Sequence, residues 1–355
     1  MARLGLIFAS ILAALRVILR RLVRGPRRPT WGLFFEIAVN IASTALARVT
    51  PGIADKDPKR LPAADLDEIR RATSPPVAAP SPMLCRVNRT AVRVGERAAV
   101  WVVAKGASPD RVILYLHGGG YFTCSIDTHG ELMARLALAC DARVLGLEYR
   151  LAPEHPFPAA LDDAVEAWRW LLAQVDDPRH AFIGGDSAGG GLALATMLRV
   201  RDEGGQLPAG AVLMSPWVDV AGQDPSVVAN ADVDYLGPGA TLLGLVGRLY
   251  ADGESLDGPL VSPRYADHTG LPPLLVQSGE AEILRDQIAD MVRRARDAGV
   301  DVQHDVWPDM VHVFQAFAVV SPAGRRAISD AAAWVKARAS TGRSGARRVG
   351  GLNDT

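Results

Sequence analysis

Residues 181–202 read AFIGGDSAGGGLALATMLRVRD, and this stretch sets the interpretation of the whole chain. The apolar run Ala181–Gly184 predicts a strand, and Ala188–Asp202 predicts a helix. Between them, Gly185-Asp-Ser-Ala-Gly189 matches the G-x-S-x-G pattern of a serine held on a sharp strand-to-helix turn. Such a turn needs small neighbours, so that the hydroxyl of Ser187 projects from the carboxyl edge of a sheet at a helix N-terminus.

Outward from this stretch, short apolar runs alternate with longer amphipathic segments. The other predicted strands are Ala98–Ala104, Val112–Leu116, Arg143–Tyr149, Ala211–Ser215, Leu274–Ser278 and Val302–Val306. The other predicted helices are Leu132–Cys140, Ala159–Gln174, Leu284–Ala298 and Arg325–Arg338. This alternation predicts an α/β fold with a mostly parallel central sheet and helices on both faces. Between Pro216 and Pro263 it gives way to an insertion rich in Gly, Asp and Pro, which has the character of a lid.

The composition is that of a globular protein. The chain has 355 residues, of which 49% are hydrophobic, so it can bury a large core. Its three cysteines have no CxxC spacing, which excludes a disulfide-stapled scaffold and favours a reducing compartment. Lys plus Arg equals Asp plus Glu at 39 each, so the molecule has no net field to attract nucleic acid, and we expect no nucleic-acid partner.

The basic charge is concentrated at the N-terminus. Residues 1–28 hold seven arginines and no acid, which leaves 32 basic and 39 acidic residues in the remainder. The uncharged run Leu4–Leu15 is followed by Arg16, Arg20 and Arg24 at helical spacing. Three interpretations stay open: a basic amphipathic helix on a membrane surface, a cap helix over a buried site, and a signal-anchor or signal peptide. The run is too short to span a bilayer alone, and no small-residue cleavage site follows closely. We therefore expect a cytoplasmic or peripherally membrane-associated protein rather than a secreted one.

A glycine-rich turn follows directly on the predicted strand Val112–Leu116, with the sequence His117-Gly-Gly-Gly120. Glycines let backbone N–H groups face a developing oxyanion without a Cβ in the way. We therefore expect an oxyanion hole built from Gly118, Gly119 and Gly120 and from the amide of Ala188, the residue after the serine. For His117 we expect a hydrogen bond that orients the loop.

A histidine base and an acid must accompany the serine. His312 lies in the segment Trp307–Phe314, after the last predicted strand, where the histidine of the chain order Ser, acid, His falls. The acid must hydrogen-bond the far ring nitrogen of that histidine. The segment after the strand Leu274–Ser278 offers Glu280, Glu282 and Asp286. Loop geometry favours Glu282 as this acid, with Asp286 as the second candidate. Either residue could instead be a solvated acid that interacts favourably with the dipole at a helix N-terminus.

These segments, together with Glu148-Tyr-Arg-Leu-Ala-Pro-Glu-His-Pro-Phe-Pro-Ala-Ala160, resemble the hormone-sensitive-lipase-like branch of the α/β-hydrolases, bacterial-type serine carboxylesterases and lipases. The resemblance covers roughly residues 85–338. It implies an α/β-hydrolase fold with a helical cap, with Ser187 as nucleophile, His312 as base and Gly118–Gly120 with Ala188 as the oxyanion hole. The chain departs from the family at Glu282 and Glu148, where Asp is usual.

We expect four segments in the chain. Residues 1–30 are the basic apolar segment, either on a membrane surface or in the cap, and residues 31–83 are a cap helix followed by a Pro- and Ala-rich linker. Residues 84–339 are the α/β-hydrolase catalytic domain with a cap insertion at about 218–262, and residues 340–355 are a disordered tail.

The expected function is hydrolysis of short- to medium-chain acyl esters through an acyl-enzyme, with no metal or organic cofactor and a small-molecule ester as the partner. Tyr121 and Phe122 follow the glycines and favour a hydrophobic acyl or alcohol group. The same residues are also consistent with a lactone or amide hydrolase or a deacetylase. Outside enzymes, the alternative function is a non-catalytic protein that binds a ligand. Contact of residues 1–28 with a membrane stays possible, and the sequence leaves the oligomeric state open.

Overall fold

The computed structural model describes residues 2–49, 66–67, 70, 81–107 and 109–341. The predicted linker, Pro51–Pro82, and the predicted tail, 340–355, lie almost wholly outside the described residues. The helices and strands named below are those of the described part of the chain.

Eight strands form one sheet in the order β1-β2-β4-β3-β5-β6-β7-β8. The pairs from β4 to β8 along this order are parallel, whereas β1–β2 and β2–β4 are antiparallel. The prediction of a mostly parallel sheet is confirmed. The strands are β1 Val87–Val94, β2 Arg97–Ala104, β3 Val112–Leu116, β4 Arg143–Leu147, β5 Ala181–Asp186, β6 Ala211–Met214, β7 Leu274–Gly279 and β8 Val302–Trp307.

The sequence did not predict β1 because this edge strand is mostly solvent-exposed. Residues 88–91 of β1 are all exposed, so they carry no apolar run. By contrast, all five residues of β3 are buried, which is why this central strand reads as continuously apolar.

Helices cover both faces of the sheet, as predicted. The helices are α1 Ala2–Arg24, α2 Leu33–Val49, α3 Gly130–Cys140, α4 Ala159–Leu172, α5 Ala188–Asp202, α6 Pro225–Ala229, α7 Ala240–Ala251, α8 Arg285–Asp297 and α9 Pro322–Thr341. Leu114 and Leu116 of β3 pack on the side of α4, α5 and α8. Ile113 and Tyr115, which alternate with them, pack on the side of α3 and α9.

Four helices lie outside the α/β core, and we call α1, α2, α6 and α7 the cap. Helices α1 and α2 pack against each other. Helices α6 and α7 belong to the insertion between β6 and β7. The sequence predicts a lid in this insertion, without indicating where its helices begin and end. The buried side chains of α7 lie against Phe122, and those of α2 lie against the loop after β8. Both cap elements therefore contact the segments that carry the predicted site.

Candidate active site

Ser187 lies on the turn between β5 and α5, where it is the residue before the first helical turn. Its backbone angles are φ 51° and ψ −123°, which an L residue adopts only under strain. The N–H of Ser187 donates to the carbonyl of Met214 at 2.9 Å, which fixes the turn to the neighbouring strand. A Cβ at Gly185 would lie 2.5 Å from the carbonyl oxygen of Leu116, and one at Gly189 would collide with the same carbonyl. The glycines on both sides of the serine are thus required by the close approach of β3.

In the glycine loop after β3, the backbone N–H groups of Gly119 and Gly120 donate no hydrogen bond within the described residues. Gly119 and Gly120 have φ of 118° and 65°, a backbone region that favours glycine. The N–H of Gly118, however, donates to Asp186 Oδ1 at 3.1 Å, so this amide is already engaged. Ala188 is the first residue of α5, and a first-turn amide has no partner within its own helix. Of the four predicted oxyanion donors, the structure therefore leaves Gly119, Gly120 and Ala188 available.

A buried network around Asp186 holds the serine turn and the glycine loop together. The carboxylate of Asp186 accepts hydrogen bonds from Tyr115 Oη at 2.5 Å and from His129 Nε2 at 3.3 Å. Burial by itself raises the pKa of Asp186, but the charge and hydrogen bond of His129, together with the hydrogen bond from Tyr115 and the charge of His117, hold the pKa below its usual value. Sequence reasoning missed this role; the only signal was the acidic residue inside the G-x-S-x-G pattern.

His117 has an orienting position, as the sequence predicts. Its ring stacks on Tyr149 with centroids 4.3 Å apart, and Tyr149 Oη donates to the His117 carbonyl at 2.6 Å. Burial, with a contribution from His129, lowers the pKa of His117 to about 3. A fully buried imidazole of this kind stays neutral and fixes the start of the glycine loop.

Glu282 lies on the loop between β7 and α8 and is completely buried. Its Oε2 accepts hydrogen bonds from Ser215 Oγ at 2.6 Å and from the N–H of Gly279 at 3.0 Å. Burial raises the pKa of Glu282 to about 8, against the lowering effect of these two donors. Its Oε1 is buried and has no hydrogen-bond partner within the described residues.

His312 lies on the loop after β8 and is 2% exposed. Its Nδ1 is also buried and without a hydrogen-bond partner within the described part of the chain. Burial lowers the pKa of His312 to about 4, because the low-dielectric surroundings disfavour the imidazolium. The ring is therefore neutral at pH 7, which is the form that accepts a proton. Within the described residues, the Oγ of Ser187 makes no hydrogen bond, to His312 or to any other group.

Two further residues, which the sequence did not single out, tie the acid loop to the histidine loop. Ser215 Oγ donates to Glu282 and accepts from the N–H of Val313 at 3.1 Å. Asp234, a buried residue of the insertion, accepts a hydrogen bond from the N–H of Ile283 at 2.8 Å, and the nearby backbone N–H of His312 is among the groups that lower its pKa. Each residue contacts both loops, so the relative position of Glu282 and His312 depends on them.

Asp286, the reserve candidate for the acid, lies elsewhere. Its Oδ2 accepts from the N–H of Ser226 at the start of α6, and its Oδ1 pairs with Arg285. Its carboxylate thus links α8 to the insertion. Glu280 accepts an N–H from Asp309 on the histidine loop.

Tyr121 and Phe122, predicted to bind substrate, are both buried. The ring of Tyr121 stacks on Tyr250 with centroids 3.8 Å apart. Phe122 lies under α7, and Arg70 is positioned 5.1 Å from the centre of its ring while donating to its carbonyl. The structure gives Tyr121 a packing role in the core.

Comparison with known proteins places this geometry in a family. A family model of the alpha/beta hydrolase fold matches residues 113–316. An acetyl-hydrolase of Streptomyces hygroscopicus is 44% identical over 246 residues, which are 69% of this chain and 81% of that protein. The esterase LipU of Mycobacterium tuberculosis is 33% identical over 259 residues, covering 70% of this chain and 86% of that protein.

Solved structures agree with this placement. A crystal structure of an esterase from the bacterial hormone-sensitive lipase family superposes with a TM-score of 0.72 at 40% identity, covering 83% of this chain and 98% of that one. The esterase EstE5, soaked with p-nitrophenyl butyrate, superposes with a TM-score of 0.73 at 36% identity, covering 84% and 99%. The chain belongs to the α/β-hydrolases. Within them it belongs to the branch of the bacterial hormone-sensitive-lipase-like proteins, as the motifs indicate.

Proposed function

We propose that this chain hydrolyses short- to medium-chain acyl esters, with Ser187 as nucleophile, His312 as general base and Glu282 as the acid that orients the histidine. The main support for this proposal is the arrangement of buried polar groups around His312. A neutral buried imidazole and a buried carboxyl group, held on adjacent loops by Ser215 and Asp234, each have one atom without a hydrogen-bond partner among the described residues. A bond from His312 Nδ1–H to Glu282 Oε1 satisfies both atoms.

That the chain is an ester-hydrolysing enzyme rests on its family. Its curated relatives include an acetyl-hydrolase, an esterase and a carboxylesterase, and the structural neighbours are esterases. The assignment of roles to particular residues rests on the geometry described above. The preference for small acyl groups is supported by the close packing of α7 on Phe122, beside the glycine loop.

The proposed reaction has two steps with the same proton carrier. His312 Nε2 takes the proton of Ser187 Oγ as that oxygen attacks the ester carbonyl carbon, and the oxyanion is held by the amides of Gly119, Gly120 and Ala188. The bond to the alcohol oxygen then breaks as the imidazolium returns its proton to that oxygen. Water attacks the acyl-enzyme, again losing a proton to His312, and that proton passes to Ser187 Oγ as the acid is released.

The test is hydrolysis of a p-nitrophenyl ester series from acetyl to palmitoyl by the full chain and by Ser187→Ala. We expect turnover that is greatest at short acyl chains and is lost in Ser187→Ala, while the variant keeps its circular dichroism spectrum and melting temperature. Turnover that rises steadily to palmitoyl would contradict the proposed chain length. A folded chain without serine-dependent turnover of any ester would overturn the proposal, and lactones and amides would then be tested as substrates.

A further inference from the structure

Helix α1 exposes an apolar face. Leu22 and Val23 are 79% and 83% exposed, and the other exposed apolar residues of this helix are Ile11, Leu12, Leu15, Ile18 and Leu19. Their spacing of three and four residues places them on one side of the helix. Phe34, in the first turn of α2, is a further exposed apolar side chain at 70%. Seven large apolar residues on one helix form a patch that water solvates poorly.

The opposite side of α1 faces the protein. Ala9, Ala13 and Val17 are buried on that side. Arg20 and Arg21 also lie there, because both pair with the buried Glu36 of α2. The helix thus directs two of its charged residues inward and its apolar residues outward, which is the reverse of an amphipathic helix on a water-exposed surface.

We propose that the exposed face of α1 docks on the surface of an anionic phospholipid bilayer. Charge selects this partner: residues 1–28 carry seven arginines and no acid, and of these Arg16 is exposed beside the apolar face and Arg24 is exposed at the C-terminal end of the helix. Anionic headgroups neutralise this charge, whereas a second copy of the chain would bring two such arginine-rich segments together. The remainder of the chain has an excess of acid, so α1 is the part that turns toward an anionic surface.

The contact is with the surface of the bilayer. No helix among the described residues is long and apolar enough to cross a membrane. A helix lying in the interface with its apolar side in the acyl region fits the exposed face of α1.

The docked helix is connected to the catalytic domain through a fixed contact. Trp31 Nε1 donates to the carbonyl of Asp309 at 2.8 Å, and Thr30 Oγ1 donates to the carboxylate of the same residue at 3.0 Å. Phe35 packs on Trp31 and Phe317, so α2 is held against the loop that carries His312. Docking through α1 therefore connects the lipid surface to the loop that carries His312, without using any residue of the proposed site.

The test is flotation of the full chain with vesicles of phosphatidylcholine and phosphatidylglycerol, and with vesicles of phosphatidylcholine alone. We expect binding to the anionic vesicles that weakens as salt is raised, because screening reduces the attraction between arginines and headgroups. The variant Leu15→Gln/Leu19→Gln/Leu22→Gln should bind at least about tenfold more weakly. These side chains are exposed, so their replacement leaves the fold intact. Ser187→Ala should bind like the unchanged chain, which separates this proposal from the proposed function.

A matched control places the same change at exposed apolar residues far from α1 in sequence. Val228→Gln/Val319→Gln should leave vesicle binding unchanged. Equal binding of the α1 variant and the unchanged chain would overturn the proposal, as would absence of binding to either vesicle. Self-association in sedimentation velocity that disappears in the α1 variant, without vesicle binding, would assign the face to a second copy of the chain.

Discussion

Glu282 and His312 have opposite responses to the same burial. Removing water disfavours the charged form of each group, which raises the pKa of the carboxyl and lowers the pKa of the imidazole. Leaving a buried polar atom without a partner costs about 1–3 kcal/mol. Ser215 and Gly279 donate to Oε2 of Glu282, which leaves Oε1 for the proposed bond from the histidine. Glu282 and Asp286, the two candidates for the acid, are four residues apart and can be compared directly by substitution.

We expect Glu282→Gln to lower kcat at least about a hundredfold, because an amide cannot stabilise the imidazolium as a carboxylate does. Asp286→Asn should change kcat by less than about threefold, since Asp286 contacts Ser226 and Arg285 and not the histidine loop. Both variants are nearly isosteric, and a p-nitrophenyl butyrate assay with thermal melts distinguishes lost chemistry from lost structure. Comparable losses in the two variants, or a dominant loss in Asp286→Asn, would contradict the assignment.

At the scale of elements, the pair α1–α2 is attached to the loop after β8 by one buried apolar cluster. Trp31, Phe35 and Val39 pack there with Met310, Val311 and Phe314. The neighbours Phe34 and Phe35 differ in burial, since the first is 70% exposed and the second 2%. Substituting each of these two phenylalanines in turn tests whether the contact between α2 and the loop after β8 contributes to stability.

We expect Phe35→Ala to lower the free energy of unfolding by about 3–5 kcal/mol, because it leaves a cavity between Trp31 and Phe317. Phe34→Ala should change it by less than about 0.5 kcal/mol. Chemical denaturation followed by tryptophan fluorescence measures both. Equal effects of the two substitutions would mean that α2 does not pack on the histidine loop as described.

The stability of the whole molecule depends on pH because two of its acidic side chains are buried. Burial raises the pKa of Asp234 to about 7 and that of Glu282 to about 8, whereas these carboxyls are ionised in the unfolded chain above pH 5. The folded state therefore holds more protons between pH 6.5 and 8, and its stability falls as pH rises through this window. His312 and His117, whose pKa values are lowered, stay neutral in the folded chain, whereas an unfolded histidine is about half protonated at pH 6.5, so both oppose this trend weakly at the lower end of the window.

We expect the free energy of unfolding to be smaller at pH 8.5 than at pH 6.5, measured by urea denaturation at constant ionic strength. Asp234→Asn removes one titrating group while keeping an oxygen acceptor for Ile283 and His312, so the difference between the two pH values should shrink. A stability that is equal at the two pH values, or larger at pH 8.5, would contradict these raised pKa values.

Much of this protein is determined by local sequence. The strand–turn–helix at residues 181–202, the glycines after β3 and the bounds of the buried strands could be predicted, because burial imposes short-range periodicity and a strained turn demands small residues. The proposed order of serine, acid and histidine rests on the same local patterns and stays a prediction.

Only the tertiary structure decided what each buried or exposed face meets. It engaged the Gly118 amide with Asp186, packed Tyr121 on Tyr250, and brought Ser215 and Asp234 to both site loops. It also turned the apolar side of α1 outward. Periodicity reports that a side chain is apolar or polar, but its partner comes from a segment tens or hundreds of residues away, and that pairing is set by the packing of the whole chain.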